Sequence, residues 1–165
     1  MMKEDTNNGD YDKNIEYHTQ KLKQYPNFAT SYNDIGMAYL NRGCANNNAD
    51  DYQQAIAMFT KAINMDHNFV EAYINRGVVY RYKGEYDEAI ENYTCAIRLD
   101  EEISSHIIDH FFVSFRLSLA YLNCGVVYYE KGEHNKAIEC WEAAVRINPN
   151  NTDAKFNLEQ AQKRQ

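Results

Sequence analysis

Positive charge is in short supply in this sequence: 17 Lys and Arg stand against 24 Asp and Glu, for a net charge of −7. Nucleic acid and anionic membranes both reward clustered Lys and Arg, so neither is expected as the main partner. Long apolar runs are missing as well. No uncharged apolar stretch reaches the roughly 18 residues a membrane-spanning helix needs. The N-terminal MMKEDTNNGDYDK has no apolar core for a signal peptide, and a cytoplasmic location is expected. The four cysteines, Cys44, Cys95, Cys124 and Cys140, include no C-x-x-C pair. Cys95, Cys124 and Cys140 fall inside apolar helical stretches and read as small buried hydrophobes in a reducing compartment, not as a disulfide or zinc framework. A Gly-rich phosphate loop, a G-x-S-x-G and a cysteine with an assignable histidine partner are all lacking. HIIDH places His106 and His110 four apart with Asp109 nearby, but without the Glu of H-E-x-x-H or a third ligand it reads as a polar edge. No catalysis, cofactor or metal is therefore expected.

What is present is a folded composition, 44% hydrophobic and 13% aromatic, at a length of 165 residues that suits one domain. It is also repetitive. GDYDKNIEYHTQKL (9–22), DYQQAIAMFTKAIN (51–64), GEYDEAIENYTCAI (84–97) and GEHNKAIECWEAAV (132–145) are versions of one amphipathic helix. Ala55 to Ala89 is 34 residues, and Tyr52 to Tyr86 is 34 again. Gly36 to Gly77 is 41 and Gly77 to Gly125 is 48, so insertions of 7 and 14 residues restore one period. The two prolines, Pro26 and Pro149, lie 123 residues apart, three periods plus both insertions, and each follows a helical pattern that ends there.

AYINRGVVYRYKGEYDEAIENYTCAIRLD resembles the tetratricopeptide repeat, a helix–turn–helix unit of 34 residues. The family's marked positions are Tyr73, Gly77, Tyr80, Ala89, Tyr93 and Ala96 in the unit 70–103, with Glu101 where the family has Pro. They are Tyr32, Gly36, Tyr39, Ala55, Phe59 and Ala62 in the unit 29–69, with His67 for Pro, and Tyr121, Gly125, Tyr128, Ala137, Trp141, Ala144 and Pro149 in 118–151. The resemblance implies an all-α fold, a right-handed α-solenoid of antiparallel helix pairs. Physics explains the small residues. Antiparallel helices approach closely only where one side offers little volume, so Gly36, Gly77 and Gly125 are expected to receive the partner helix. A glycine inside a helix costs about 1 kcal/mol relative to alanine, which the close contact must offset.

Residues 9–28 fit the second half of a repeat, with polar Asn14, His18 and Lys21 in slots that elsewhere hold Ala, an aromatic and Ala, as a solenoid end requires. At the other end, 152–165 reads as a capping helix with Ala154, Leu158 and Ala161 turned inward. CANNNADD (44–51), inside the first full unit, is expected to form a solvated loop. The second insertion, 104–117, is about four helical turns long and is expected to extend the following helix into one rod from about 105 to 131. Its Ile108, Phe111, Phe112 and Phe115 are too apolar to stand in water, and Asp109 and Arg116 make it a poor membrane span, so it is expected to cover its own solenoid, a second copy or a partner.

In the family the first helices of successive units line a concave groove that receives peptides. Mapped here, that groove has Asp34, Asn75, Asn123 and Asn157 in one column, flanked by Met37, Ile74, Val78, Tyr82, Leu122, Val126, Tyr129 and Phe156. An amide offers donor and acceptor together, so the column resembles an asparagine ladder able to hold a peptide backbone. The carboxylate clamp of chaperone-binding members needs Lys or Arg where this chain has Thr30, Asn33, Glu71, Ile74, Leu119 and Leu122. The implied function is a non-enzymatic adaptor for an apolar peptide or helix. The competing reading is a homodimer or larger scaffold assembled through Ile108, Phe111, Phe112 and Phe115.

Overall fold

The computed structural model describes residues 5–104 and 110–163, with side chains over 9–103 and 114–163. Among the described residues are eight helices and no strand. The chain divides into two compact units, Met1–Val79 and Tyr80–Gln165.

The first unit holds α1 (Asp5–Gln24), α2 (Ala29–Asn46), α3 (Ala49–Met65) and most of α4 (Val70–Tyr82). α1 packs on α2 and α2 on α3. Ala55 and Ala62 on α3 are fully buried. Phe59, between them, lies against Gly36: a Cβ on Gly36 would sit 2.7 Å from the Phe59 ring. The glycine is therefore the seat of the aromatic. Val79 of α4 joins Leu40, Tyr52, Ala55 and Phe59 in one apolar cluster. On α1, Asn14 is exposed, while His18 and Lys21 are partly buried.

The Asn-rich insertion does not loop out. Asn47 and Asn48 alone separate α2 from α3. Asn47 adopts a left-handed φ of 50°, which Asn tolerates better than most residues, and the Asn48 N–H closes on the Gly43 carbonyl at 3.0 Å. The Asn48 side chain then accepts the Asp50 N–H at 2.9 Å and caps α3. The other inserted residues lengthen the hairpin. Seven residues are about two helical turns, so the added length keeps its faces aligned and repeats the contact. A Cβ on Gly43 would lie 3.0 Å from the Tyr52 ring, the counterpart of Gly36 on Phe59. Asparagines that favour turns also serve as αL and N-cap residues, which is why the composition reads as loop.

Arg42 ties three helices of this unit together. Its guanidinium bonds Asp51 on α3 at 3.0 and 2.6 Å and also Asp12 on α1. The Asp51 hydrogen bonds push Arg42 above its ordinary value, against partial burial that pulls it down. Asp51 belongs to the insertion yet is buried.

The second unit holds the end of α4, then α5 (Tyr86–Ser104), α6 (His110–Glu130), α7 (His134–Ile147) and α8 (Thr152–Gln162). Gly84 and Gly132, at φ 76° and 81°, make its two hairpin turns. In each, the following Glu N–H reaches back to a helix carbonyl: Glu85 to Tyr80 at 2.9 Å and Glu133 to Tyr128 at 2.8 Å. That is the left-handed helix stop for which glycine is suited. Leu122, Ala137, Trp141, Ala144, Ala154 and Ala161 form one core, with Leu158 packed against it. Trp141 fills the notch at Gly125, where a Cβ would fall 2.5 Å from the indole nitrogen.

The second insertion lengthens two helices. α3 and α7 end at Met65 and Ile147, ten residues after Ala55 and Ala137. The counterpart after Ala89 is Leu99, but α5 runs on to Ser104. α6 is helical from His110 through Glu130, and residues 105–109 lie outside the described residues, so the single rod from 105 is described only from His110 onward. The two extensions are joined by Arg116, whose Nε bonds the buried Asp100 at 3.0 Å.

Candidate functional site

The first helices, α2, α4, α6 and the capping α8, carry every residue the sequence assigns to a peptide-binding face. In the first unit that face is polar and already internally bonded. Asn75 on α4 donates through Nδ2 to Asn33 Oδ1 on α2 at 3.0 Å. An N–H that could serve a peptide carbonyl is thus engaged one position beside the proposed column. Asp34 lies 3.5 Å from His18 Nδ1 on α1, and His18 is only 15% exposed. Met37 and Val78 are half-buried, and Ile74 is 4% exposed. Ile74 therefore supports the face from beneath; it offers almost no surface to a ligand.

The face of the second unit is different: it contains a cavity of about 310 Å³. Val126 and Tyr129 of α6, Trp141 of α7, and Phe156 and Ala161 of α8 supply its apolar walls, with Glu130, Asn157 and Gln160 as polar neighbours. The walls follow from the hairpin. Glycine at 125 lets α7 come close enough for the Trp141 indole to reach this side, where its ring lies 5.7 Å from that of Tyr129. Phe156 stays 61% exposed at the rim. Its ring is continuous with the apolar walls contributed by Val126, Tyr129 and Trp141. Leu122, at 9% exposure, belongs to the core below, whereas Asn123 and Asn157 are half-buried on the face.

One side of the cavity is electrostatically fixed. Arg81 Nε lies 3.0 Å from both carboxylate oxygens of Glu130, and its Nη2 donates to Glu130 Oε1 at 2.8 Å. These hydrogen bonds raise the Arg81 guanidinium above its ordinary value, with burial opposing. Tyr82, 52% exposed, holds its ring 5.6 Å from the same guanidinium. The result is an apolar recess whose nearest charges neutralise each other.

Several members of this constellation are invisible to position counting along first helices. Trp141 comes from a second helix, and Gln160 and Ala161 lie one turn past Phe156 and Asn157 on the capping helix. The spacing from Phe156 to Gln160, i to i+4 on one helical face, is the signal that finds Gln160. Of the apolar set assigned to self-association, Phe115 is 58% exposed. Ile108 and the side chains of Phe111 and Phe112 lie outside the described residues, as do His106, Asp109 and the His110 side chain. Among the described residues no group of His, Cys, Asp and Glu could hold a metal ion, and no helix is long and apolar enough to cross a membrane.

Antiparallel helix hairpins closed by a glycine notch and an aromatic knob, Phe59 on Gly36 in the first unit and Trp141 on Gly125 in the second, define a helical-repeat protein-interaction module. Family models of the tetratricopeptide repeat match residues 37–69, 70–103 and 118–151. The chain belongs to the tetratricopeptide repeat family, and its fold is an α-solenoid of antiparallel helix pairs. The crystal structure of MamA is similar over 94% of this chain and 78% of that one, at 27% identity and a TM-score of 0.71. The second TPR domain of human RPAP3, solved with the HSP70 peptide SGPTIEEVD, is 25% identical over 81% of this chain and 94% of its own, with a TM-score of 0.64. A thermophilic TPR protein of Thermus thermophilus shares the fold at 16% identity and a TM-score of 0.74, over 90% of this chain and 71% of that one. Comparison with curated protein sequences returns no significant match.

Proposed function

We propose that this chain is a non-enzymatic adaptor that anchors an apolar side chain of an extended or helical peptide in the cavity of its second unit. The observation that carries this reading is the exposed Phe156 at the mouth of an apolar recess. Its volume of about 310 Å³ is at the lower end for ligand pockets and suits one or two side chains, not a whole ligand. Asn157, Val126 and Tyr129 in its wall supply an amide for peptide backbone and apolar contact, and Asn123 and Tyr82 on the first helices are the residues that would extend the contact. In the first unit, Asp34, Met37, Asn75 and Val78 form a separate surface. There one Asn75 amide N–H serves Asn33, and its carbonyl and second N–H are the groups offered to a peptide.

The second TPR domain of RPAP3 was solved with the HSP70 peptide SGPTIEEVD, yet a ligand held by its terminal carboxylate is not proposed here. The clamp positions carry no Lys or Arg, and Arg81 on this face is neutralised by Glu130. The test is a peptide array read against wild type and Phe156→Asp, a change at an exposed position that leaves the core alone. Wild type is expected to select apolar peptides, with a shift in emission from Trp141, the chain's single tryptophan. Phe156→Asp should weaken the selected peptides about tenfold or more, as for loss of a central apolar anchor. Equal binding by both proteins, or selected peptides that leave Trp141 emission unchanged, would reject the cavity as the anchor.

Phe115, 58% exposed on the extension of α6, favours a second reading in which the helix assembles two copies of the chain. Light scattering separates the two. A dimer that Phe115→Asp disperses supports assembly, and a monomeric wild type removes it.

A further inference from the structure

The α6–α7 hairpin sets two cysteines level with each other. Its register is fixed at three points: Ser118 Oγ donates to the Ala144 carbonyl at 2.9 Å, Trp141 Nε1 donates to the Leu122 carbonyl at 3.2 Å, and the Tyr129 and His134 rings lie 4.9 Å apart. In an antiparallel pair each step forward on one helix meets a step back on the other. Cys124, just beyond Leu122, therefore comes level with Cys140, just before Trp141. The same indole closes on Gly125, next to Cys124, where a Cβ would be 2.5 Å away. The glycine notch that lets these helices approach thus also sets the two cysteines level across the hairpin, close enough for each thiol to shift the other. Both are free thiols, Cys124 buried and Cys140 half-exposed.

We propose that Cys124 and Cys140 form a peroxide-sensitive dithiol that closes to an intramolecular disulfide across the α6–α7 hairpin. The division of labour follows from the environment. The neighbouring Cys124 thiol lowers the pKa of Cys140, while the Cys140 thiol, reinforced by burial, pushes Cys124 up. Cys140 is thus the thiolate that reacts first, and it is the one solvent reaches. Its sulfur attacks one oxygen of hydrogen peroxide; the O–O bond breaks, hydroxide leaves and takes a proton as water, and Cys140 becomes a sulfenic acid. Cys124 loses its proton and attacks the Cys140 sulfur, the S–O bond breaks, and a second water departs. Two electrons pass from the sulfurs to the peroxide, and both thiol protons end in water. Cys44, exposed and bonded by the Tyr52 hydroxyl at 3.8 Å, belongs to the other unit, and Cys95 sits on α5. Neither is level with the pair on this hairpin.

The experiment treats the full chain with a slight excess of hydrogen peroxide and counts thiols. The four titratable thiols are expected to fall to two in a protein that remains monomeric under non-reducing denaturation. Trypsin should then release peptides 117–131 and 137–146 as one cross-linked species that dithiothreitol separates. In Cys124→Ala the cross-link should vanish and Cys140 should instead be trapped as a dimedone adduct. Wild type that keeps four thiols, or a cross-link through Cys44 or Cys95, would overturn the assignment. Because the peptide map is read on wild type, the result does not depend on how the variant folds.

Discussion

Trp141→Ala is expected to destabilise the second unit by about 3–5 kcal/mol, the cost of emptying a large aromatic site in a packed interior. Trp141 is 3% exposed, is the largest member of its core, and donates Nε1 to the Leu122 carbonyl at 3.2 Å. A sharper form of the claim concerns its partner. At an open helical position Gly→Ala stabilises by about 1 kcal/mol, because alanine restricts the unfolded chain and favours the helix. At Gly125 the new methyl would arrive 2.5 Å from a rigid indole, so overpacking of about 1–3 kcal/mol should reverse the sign. In the Trp141→Ala background the same Gly125→Ala change enters empty space and should recover its ordinary stabilisation. Urea titrations followed by circular dichroism of all four proteins give the coupling, expected near 2 kcal/mol for residues in direct contact. Additive effects would mean that Gly125 and Trp141 do not form one notch and knob.

The repeat itself was legible because it is written in volume. Gly36, Gly77 and Gly125, with alanines at 55, 89 and 137, mark where backbones must approach, and all six are buried. Only a repeated hairpin places small residues at that spacing. The insertions were legible in length and not in form. Seven and fourteen residues are close to whole numbers of helical turns, so helical extension was available for both. The asparagines at 46, 47 and 48 hid the first, since turn chemistry and cap chemistry use the same side chain. In the second, Asp100 gave no sign that α5 would run past Leu99. A buried carboxylate becomes intelligible only when Arg116, sixteen residues on, is seen to meet it. The candidate face was legible as positions on first helices. Its depth was not, because the cavity depends on Trp141 reaching through from a second helix, and periodicity assigns Trp141 simply to the core. Nor does counting positions tell a side chain on a face from one beneath it, as the burial of Ile74 and Leu122 shows.

The pair that holds the second insertion is expected to be nearly as costly to break as the tryptophan. The Asp100 side chain is 0% exposed and that of Arg116 is 26% exposed. The guanidinium approaches with Nε at 3.0 Å and a second nitrogen on the same carboxylate oxygen. Taking a carboxylate out of water costs several kcal/mol, which its cation offsets in place; remove the cation and the cost remains. Arg116→Met, which keeps the aliphatic stem, should therefore destabilise by on the order of 3 kcal/mol. Because the charge left behind is the cause, Asp100→Leu in the same chain should restore most of the loss and could exceed wild type, as apolar replacements of buried pairs often do. A helix extension held mainly by its apolar side chains predicts another pattern, in which Arg116→Met is silent and the double variant no better. Urea midpoints of the three proteins decide between them. Recovery in the double variant would show that the pair aligns the ends of α5 and α6 at a net electrostatic cost, and a silent Arg116→Met would show that the insertion is held without it.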